Sequence, residues 1–319
     1  MASTTVVIPN YNGMKYIDNC IRSLYRGTKI PDVILVDNGS QDGSKELVRE
    51  KYGKVRIIEF EENTGFSCAV NAGIRAASTE YVLLLNNDTK VDEKMVENME
   101  KALEREPKAF SAGARMIRMD APKLLDGAGD LYCALGWAFA RGKDKPFDGY
   151  EKSCRIFSAC AGAAIYRREV FEKIGFFDEN HFAYLEDTDI GYRANIYGYY
   201  NMYVPDAKVF HAGSAVSGSR HNEFKVRLSS QNSIYLVYKN MPFLQIVLNC
   251  PFLLAGFLIK ALFFCKKGMG LTYLGGLVAG VKLSVSEKGR CRKVKFSFSH
   301  LQNYAWIQGQ LWINMVRRL

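Results

Sequence analysis

The residues that could do chemistry in this chain are polar groups set at the ends of apolar runs. Leu83-Leu84-Leu85 stops abruptly at Asn86-Asn87-Asp88. A carboxylate in that place can hold Mg²⁺ or Mn²⁺ and neutralise charge on a leaving diphosphate, although an aspartate after a strand is also a common turn or capping residue. Val33-Ile34-Leu35-Val36 stops at Asp37-Asn38-Gly39-Ser40, a turn able to hydrogen-bond a pyrimidine base or ribose while Ser40 or Asp42 caps the next helix. Val6-Val7-Ile8 stops at Pro9-Asn10-Tyr11-Asn12, which offers N–H groups and a tyrosine ring to a base, or is simply a connecting loop. Glu186-Asp187-Thr188-Asp189 crowds three carboxylates into four residues at an expected helix start. They read either as first-turn charge favoured by the helix dipole or as a general base for an acceptor hydroxyl. His211 ends an apolar strand, where a neutral imidazole is either a metal ligand or a structural residue.

Elements must bring these groups together. Strands are expected near 4–8, 33–37, 55–60 and 81–86, each a continuous β-branched run of the kind buried on both faces. Helices near 13–27, 42–52, 67–77 and 92–105 fill the gaps. Such β–α units imply right-handed crossovers and a doubly wound, mostly parallel sheet, whose carboxyl edge forms the ligand crevice. Residues 107–165 are irregular and glycine-rich, with Asp126-Gly127-Ala128-Gly129-Asp130, Trp137 and Cys160-Ala161-Gly162-Ala163. A helix near 168–174, another from 186 to about 197, and two strands near 201–204 and 207–211 follow, and the catalytic unit is expected to close near 240.

Charge divides the chain at the same point. The last 81 residues hold 12 Lys and Arg against one acid, Glu287, for a net +11, whereas the first 238 are at −1. A basic, apolar tail on a neutral domain points to an anionic surface. The eight cysteines form no C-x-x-C pair and no zinc spacing with histidine, and read as reduced thiols of a cytosolic protein. The chain enters a strand at once, so no signal peptide is expected.

Taken together, the motifs resemble those of a family 2 glycosyltransferase with the GT-A fold. Val7-Ile8-Pro9-Asn10-Tyr11-Asn12, Val36-Asp37-Asn38-Gly39-Ser40-Gln41-Asp42-Gly43-Ser44, Asn63-Thr64-Gly65-Phe66 and Asn71-Ala72-Gly73 carry the likeness. Leu84-Leu85-Asn86-Asn87-Asp88, Gly162-Ala163, Glu186-Asp187-Thr188-Asp189 and His211 continue it, in order, across about residues 4–215. The resemblance implies inverting transfer from a nucleotide-diphosphate sugar. Asp88 would be the metal ligand of a D-x-D motif in which Asn86 replaces the first Asp, with His211 compensating. Asp187 would be the base, with Glu186 and Asp189 as orienting or capping neighbours. Pro9, Asn10, Tyr11, Asn12, Asp37, Asn38, Gly65, Phe66, Asn71, Asn86 and Asn87 would serve the donor, and Gly162, Ala163 and Trp137 the acceptor. The Asp-Asn-Gly-Ser and Asn-Asn-Asp variants look most like bacterial rhamnosyltransferases. They favour dTDP-rhamnose over UDP-sugars such as those of GlcNAc, galactose or galactofuranose, in cell-surface polysaccharide synthesis.

Residues 243–264 carry one charge, Lys260, and as a helix would be about 33 Å long, enough to cross roughly 30 Å of hydrocarbon. Gln245, Asn249, Gly256, Lys260 and Lys267 would fall on one narrow polar stripe, unless Pro251 restarts the helix and breaks the phase. A helix lying in the interface fits that stripe better than a span, with Lys266, Lys267, Lys288, Arg290, Arg292, Lys293 and Lys295 meeting anionic headgroups. A buried hairpin with a solvated basic face, or a homodimer interface, is the plainer alternative. The expected location is the cytoplasmic face of the cell membrane, and the expected acceptor a glycan or a polyprenyl-diphosphate-linked glycan. A dehydrogenase is disfavoured because no G-x-G-x-x-G follows the first strand. A nucleotidyltransferase is disfavoured by Pro9-Asn10-Tyr11-Asn12 in place of a basic phosphate loop. Nucleic-acid binding through Phe296, Phe298, Tyr304, Trp306 and Trp312 fits poorly with the long apolar stretch before them.

Overall fold

A computed structural model describes residues 3–213 and 221–318. Strand β1 (Thr4–Asn10), helix α1 (Ile17–Tyr25), β2 (Asp32–Asn38), α2 (Ser44–Lys51), β3 (Arg56–Phe60), α3 (Phe66–Ala76) and β4 (Tyr81–Leu85) form the alternating first part. Then come β5 (Thr89–Val91), α4 (Met95–Arg105), β6 (Ala109–Arg118), β7 (Leu125–Gly127), β8 (Asp130–Cys133), β9 (Trp137–Ala140), β10 (Cys154–Ile156) and β11 (Ala163–Arg167). The remainder is α5 (Arg168–Ile174), α6 (Glu186–Ile196), β12 (Tyr200–His211), α7 (Glu223–Asn240), α8 (Phe243–Lys266), α9 (Gly270–Val285), α10 (Glu287–Cys291) and α11 (Leu301–Arg318). Ser214, which follows the His211 motif, lies outside the described residues.

The main sheet runs β10-β12-β6-β11-β4-β1-β2-β3, with β5 paired to β12 and β7 to β6. Pairings β4–β1, β1–β2, β2–β3 and β6–β12 are parallel, and β11 is antiparallel to both its neighbours. Continuous apolar strands suit this sheet because successive side chains point to opposite faces. Val6, Ile8, Leu83 and Leu85 pack with α1 and α4 residues such as Ile21 and Met99. Val7, Val82 and Leu84 pack with Val70, Ile74 and Phe171 on the opposite face.

Two local expectations change, and one alternative is decided. The two strands near 201–211 are one strand, β12, whose register on β6 shifts between Val204 and Lys208 around Pro205. A proline cannot donate to the ladder, so the strand bulges there instead of ending. The first helix starts at Ile17, because residues 13–16 form a turn. Helix α8 runs unbroken through Pro251 and keeps its phase, so Gln245, Asn249, Leu253 and Gly256 are all buried against the protein. The other side of α8 is bare, with Phe243, Leu244, Leu254, Leu258 and Leu262 exposed, and Leu271, Val278 and Val285 of α9 exposed beside it.

The tail shares a core with the preceding domain. Tyr132, Phe157 and Tyr192 pack with Leu236 of α7, Leu253 of α8 and Ile307 and Leu311 of α11. Gly256 is the point of closest approach, since a Cβ there would lie 2.1 Å from the Leu135 carbonyl oxygen. A backbone oxygen cannot yield as a side chain can, so Gly256→Val should destabilise the protein by about 1–3 kcal/mol in urea unfolding. An unchanged midpoint would show that α8 is not anchored there.

Candidate active site

The strand ends are tied into one floor by amides. Asn10 Nδ2 lies 2.9 Å from Asp37 Oδ1, 3.1 Å from Ser40 Oγ and 2.8 Å from Ser44 Oγ, while Asn10 Oδ1 accepts from Asn87 Nδ2 at 2.8 Å. Asp37 Oδ2 accepts from the Ser40 N–H, and Asn12 joins through its own N–H to Ser40 Oγ and through Oδ1 from the Gln41 N–H. Asn38 braces β2 to the next turn, donating to Asn63 Oδ1 and Gly65 O and accepting from the Thr64 N–H. Tyr11 is exposed on the rim, and Pro9 lies within β1 in register with Val36.

Gly65, Phe66 and Asn71 gather at a different seam, between α3 and residues 177–182. The Phe66 N–H donates to Phe182 O at 2.6 Å, and a Cβ on Gly65 would stand 2.6 Å from that same oxygen. Gly65 also has φ of 91°, which glycine adopts without strain. Both ends of the buried Asn71 amide are used, Nδ2 donating to Phe177 O and Oδ1 accepting from the Phe177 N–H.

Asp88 and His211 meet because β5 pairs with β12, setting Thr89 opposite His211. His211 Nε2 is 3.2 Å from Asp88 Oδ1, and its Nδ1 is 2.7 Å from Asp126 Oδ2, while Asp126 Oδ1 pairs with Lys143 at 2.6 Å. Burial draws the imidazole pKa down, but the hydrogen bonds and charges of Asp126 and Asp88 outweigh it and set it at about 9. Burial likewise opposes the charge on Asp126, yet His211 and Lys143 hold that carboxyl well below its usual range. Asn86 anchors the β4 end through its N–H to Gly162 O at 2.9 Å. A Cβ on Gly162 would come 3.0 Å from the Asn86 side-chain amide, a tight approach that would press on Asn86.

The acids of α6 are sorted by their surroundings. Asp189 is fully buried and held ionised, because Arg193, Lys239 and Asn240 oppose the effect of burial. Asp187 and Glu186 go the other way: burial raises both, and the Asp187 charge helps lift Glu186 to about 8. Asp187 also accepts from its neighbour's Thr188 N–H at 2.6 Å. Across from it stand Asp130 and Cys160, with one ligating atom of each of the three within 4.8 Å of the others. Burial, then Asp187, pushes the Asp130 carboxyl well up, and burial pushes the Cys160 thiol up. Two acids so close in a buried place share a proton more readily than both ionise. A neutral thiol is also a poor donor for a hard cation.

Asp126, Asp130, Lys143 and Cys160 line a cavity of about 170 Å³ together with Ala163. None of the first four was singled out for chemistry in the sequence, although Asp126-Gly127-Ala128-Gly129-Asp130 and Cys160-Ala161-Gly162-Ala163 stand out as small-residue runs. Trp137 is taken elsewhere: its indole N–H donates to Gly256 O at 3.1 Å, and Lys260 stands over its ring.

An open, largely parallel sheet with acids gathered at its carboxyl edge is the build of a GT-A glycosyltransferase. The chain belongs to glycosyl transferase family 2, whose sequence model matches residues 5–175. It is rhamnosyltransferase-like, being 28% identical over 235 residues to the N-acetylglucosaminyl-diphospho-decaprenol L-rhamnosyltransferase of Mycobacterium tuberculosis, across 65% of this chain and 75% of that protein. Its fold is similar to that of GalNAc-T7 with UDP, GalNAc and Mn²⁺ (TM-score 0.61, 16% identity), over 75% of this chain and 48% of that one. It is also similar to the mannosyltransferase PcManGT of Pyrobaculum calidifontis in complex with GDP-Man and Mn²⁺ (TM-score 0.54, 17% identity), over 96% of this chain and 86% of that one.

Beside α6 sits His181, fully buried against Tyr235, with neither ring nitrogen hydrogen-bonded. Burial draws its pKa down to about 4 despite nearby Asp189 and Asp178. Below the ordinary value of 6.5 the unfolded chain takes up a proton that the folded chain refuses, so this contribution to stability is complete above pH 6.5 and falls until pH 4. Stability should drop by about 2 kcal/mol between pH 7 and pH 5 from this group, and His181→Phe should remove that part of the slope in urea titrations. An identical slope in the variant would contradict it.

Proposed function

We propose that the protein transfers a sugar, with inversion, from a nucleotide-diphosphate donor to a hydroxyl of a lipid-linked glycan, and that the donor is dTDP-rhamnose. The observation that carries this reading is the division of one acid-rich cleft into two working sides. On one side Asp88 and His211 offer an oxygen and a nitrogen 3.2 Å apart, with Asp126 orienting the far ring nitrogen as a carboxylate does behind a ligating histidine. Once Nε2 gives up its proton, as a ligating histidine must, that donor pair fits Mg²⁺ or Mn²⁺, which when bound would supply counter-charge for a departing diphosphate. On the other side Asp187, with Asp130 against it, is the base.

The acceptor hydroxyl gives its proton to Asp187 as its oxygen bonds to the anomeric carbon and the bond to the nucleotide diphosphate breaks. One displacement inverts that carbon, so no nucleophilic Ser or Cys is required. Asp130, kept protonated, donates toward Asp187 and fixes its orientation before transfer. Asn10, Asp37, Asn38 and Asn87 stiffen the floor on which the nucleotide rests. The rhamnosyl donor and the lipid-diphosphate acceptor follow from the likeness to the mycobacterial enzyme.

The tail is read as a membrane foot at the cytoplasmic face. Helix α8 is long and apolar enough to cross a bilayer, with 17% of its apolar window buried. Its polar stripe is spent on the protein, leaving one apolar face for lipid, as an interfacial helix has. The basic residues from Lys266 to Lys295 would add about 1 kcal/mol each near anionic headgroups.

Calorimetry with dTDP, UDP and GDP tests the donor reading. The expected result is Mg²⁺- or Mn²⁺-dependent binding of dTDP that Asp88→Ala abolishes. Asp187→Asn should bind dTDP normally and lose about 10²–10⁴ in kcat, with the wild-type product carrying the inverted anomeric configuration by NMR. No binding of any diphosphate would overturn the transferase reading, and UDP in place of dTDP would overturn the rhamnosyl donor. Cosedimentation should show binding to phosphatidylglycerol vesicles that weakens with salt, and its absence would favour a dimer interface.

A further inference from the structure

We propose that α7 belongs to the catalytic apparatus, with Asn232 and Lys239 as positioning residues for Asp187. The inference rests on the reading of Asp187 as base, and it names the parts that aim it. The chain enters α6 through unusual backbone. Phe182, Tyr184 and Leu185 have φ of 52°, 71° and 68°, three of the five non-glycine residues with positive φ among the described residues. Each such residue costs on the order of 1–3 kcal/mol and persists only where its surroundings hold it.

Two elements hold this segment from opposite sides. Phe182 O accepts from the Phe66 N–H on α3. The intervening carbonyls turn to α7, where Asn232 Nδ2 lies 2.8 Å from His181 O, 2.9 Å from Ala183 O and 2.8 Å from Tyr184 O. Asn232 is fully buried, so its amide N–H groups have no water to fall back on. Its amide is therefore a clasp on the residues immediately before Glu186 and Asp187.

Two turns along the same face of α7, Lys239 repeats the grip by charge. Its buried ammonium is 2.8 Å from Asp189 Oδ2 and 2.7 Å from Asp178 Oδ2. Asn240 Nδ2 takes Asp189 Oδ1 at 2.8 Å, and Tyr235 donates to Asp178 at 2.8 Å. Arg193 and Lys239 balance Asp178 and Asp189, which makes the buried set neutral and satisfied. Asp189 is in the same first turn of α6 as Asp187, so Lys239 fixes that turn while Asn232 fixes the backbone leading into it. The nucleotide floor built by Asn10 and Asp37 makes none of these contacts. Loss of the clasp should therefore misaim the base and leave the donor side intact.

The test uses the full chain carrying Asn232→Ser, Lys239→Met or Lys239→Arg. Asn232→Ser should lower kcat about a hundredfold, as expected for a base displaced by about 1 Å, while the Kd for dTDP with Mn²⁺ stays within about twofold. Amide hydrogen exchange should quicken across residues 183–189 and stay unchanged in β1 and β4. Lys239→Arg should retain more activity than Lys239→Met. Where Lys239→Met does not fold, because Asp189 is left buried and unpaired, Asn232→Ser decides alone. A kcat and an exchange pattern equal to wild type in Asn232→Ser would overturn the proposal, as would a kcat that falls only in step with the folded fraction. Should the wild type move no sugar, the reading of Asp187 as base fails separately, and the exchange of residues 183–189 still decides whether Asn232 holds them.

Discussion

Five carboxyl groups, Asp88, Asp126, Asp130, Glu186 and Asp187, are drawn to one partly closed edge of a sheet, and their mutual repulsion sets terms for everything around them. Burial makes each charge costly, and proximity makes each raise its neighbours' cost. The protein meets this by dividing the group. His211 and Lys143 neutralise the Asp88–Asp126 side, where Asp126 is held ionised. On the Asp130–Asp187 side the pKa values rise, so the two carboxyls hold a proton between them. On the proposed reading, metal chemistry and proton chemistry thereby sit next to each other without collapsing into one ion-binding cluster.

The same constraint explains the unusual backbone and the tail. Asp189 is next to this group in sequence but must not join it, and burial with Arg193, Lys239 and Asn240 takes it out. That arrangement recruits α7, which in turn packs on α9 and so brings the C-terminal helices into the body of the protein. The shared core of Tyr132, Tyr192, Leu236, Leu253 and Leu311 is the apolar counterpart of this link. Helix α8 can leave one side bare because its other side, through Gln245, Asn249 and Gly256, is already committed to the domain.

Much of this was legible in the residues themselves. Short, continuous β-branched runs bounded by turn residues marked the parallel strands, since strands covered on both faces read that way. Asp88 and His211, 123 positions apart in the chain, are brought face to face by the β5–β12 pairing, and the acids of α6 stand at its first turn as their clustering suggested. What could not be read depends on contacts that no local pattern encodes. Asp130 and Cys160 reach Asp187 through long-range pairing, Asp130 at the start of β8 being bridged to Ser158, two residues before Cys160. Trp137 is grouped with the acceptor residues by resemblance, and in the structure its indole N–H donates to Gly256 of α8. Asn71 is grouped with the donor residues by resemblance, and the structure shows it tying α3 to Phe177; no motif marks Asn232, whose contacts with residues 181–184 exist only because α7 closes on them. Pro251 suggested a break, yet the helix passes through it, which a residue-by-residue rule does not foresee.

The division of the acid cluster is the central claim, and anomalous diffraction at the manganese edge tests it most directly, on crystals grown with Mn²⁺ and dTDP. The account predicts one anomalous peak at about 2.0–2.3 Å from Asp88 Oδ and His211 Nε2, with none among Asp130, Cys160 and Asp187. A peak coordinated by Asp130, Cys160 and Asp187 would contradict it, since the residue read as the base would then be a metal ligand.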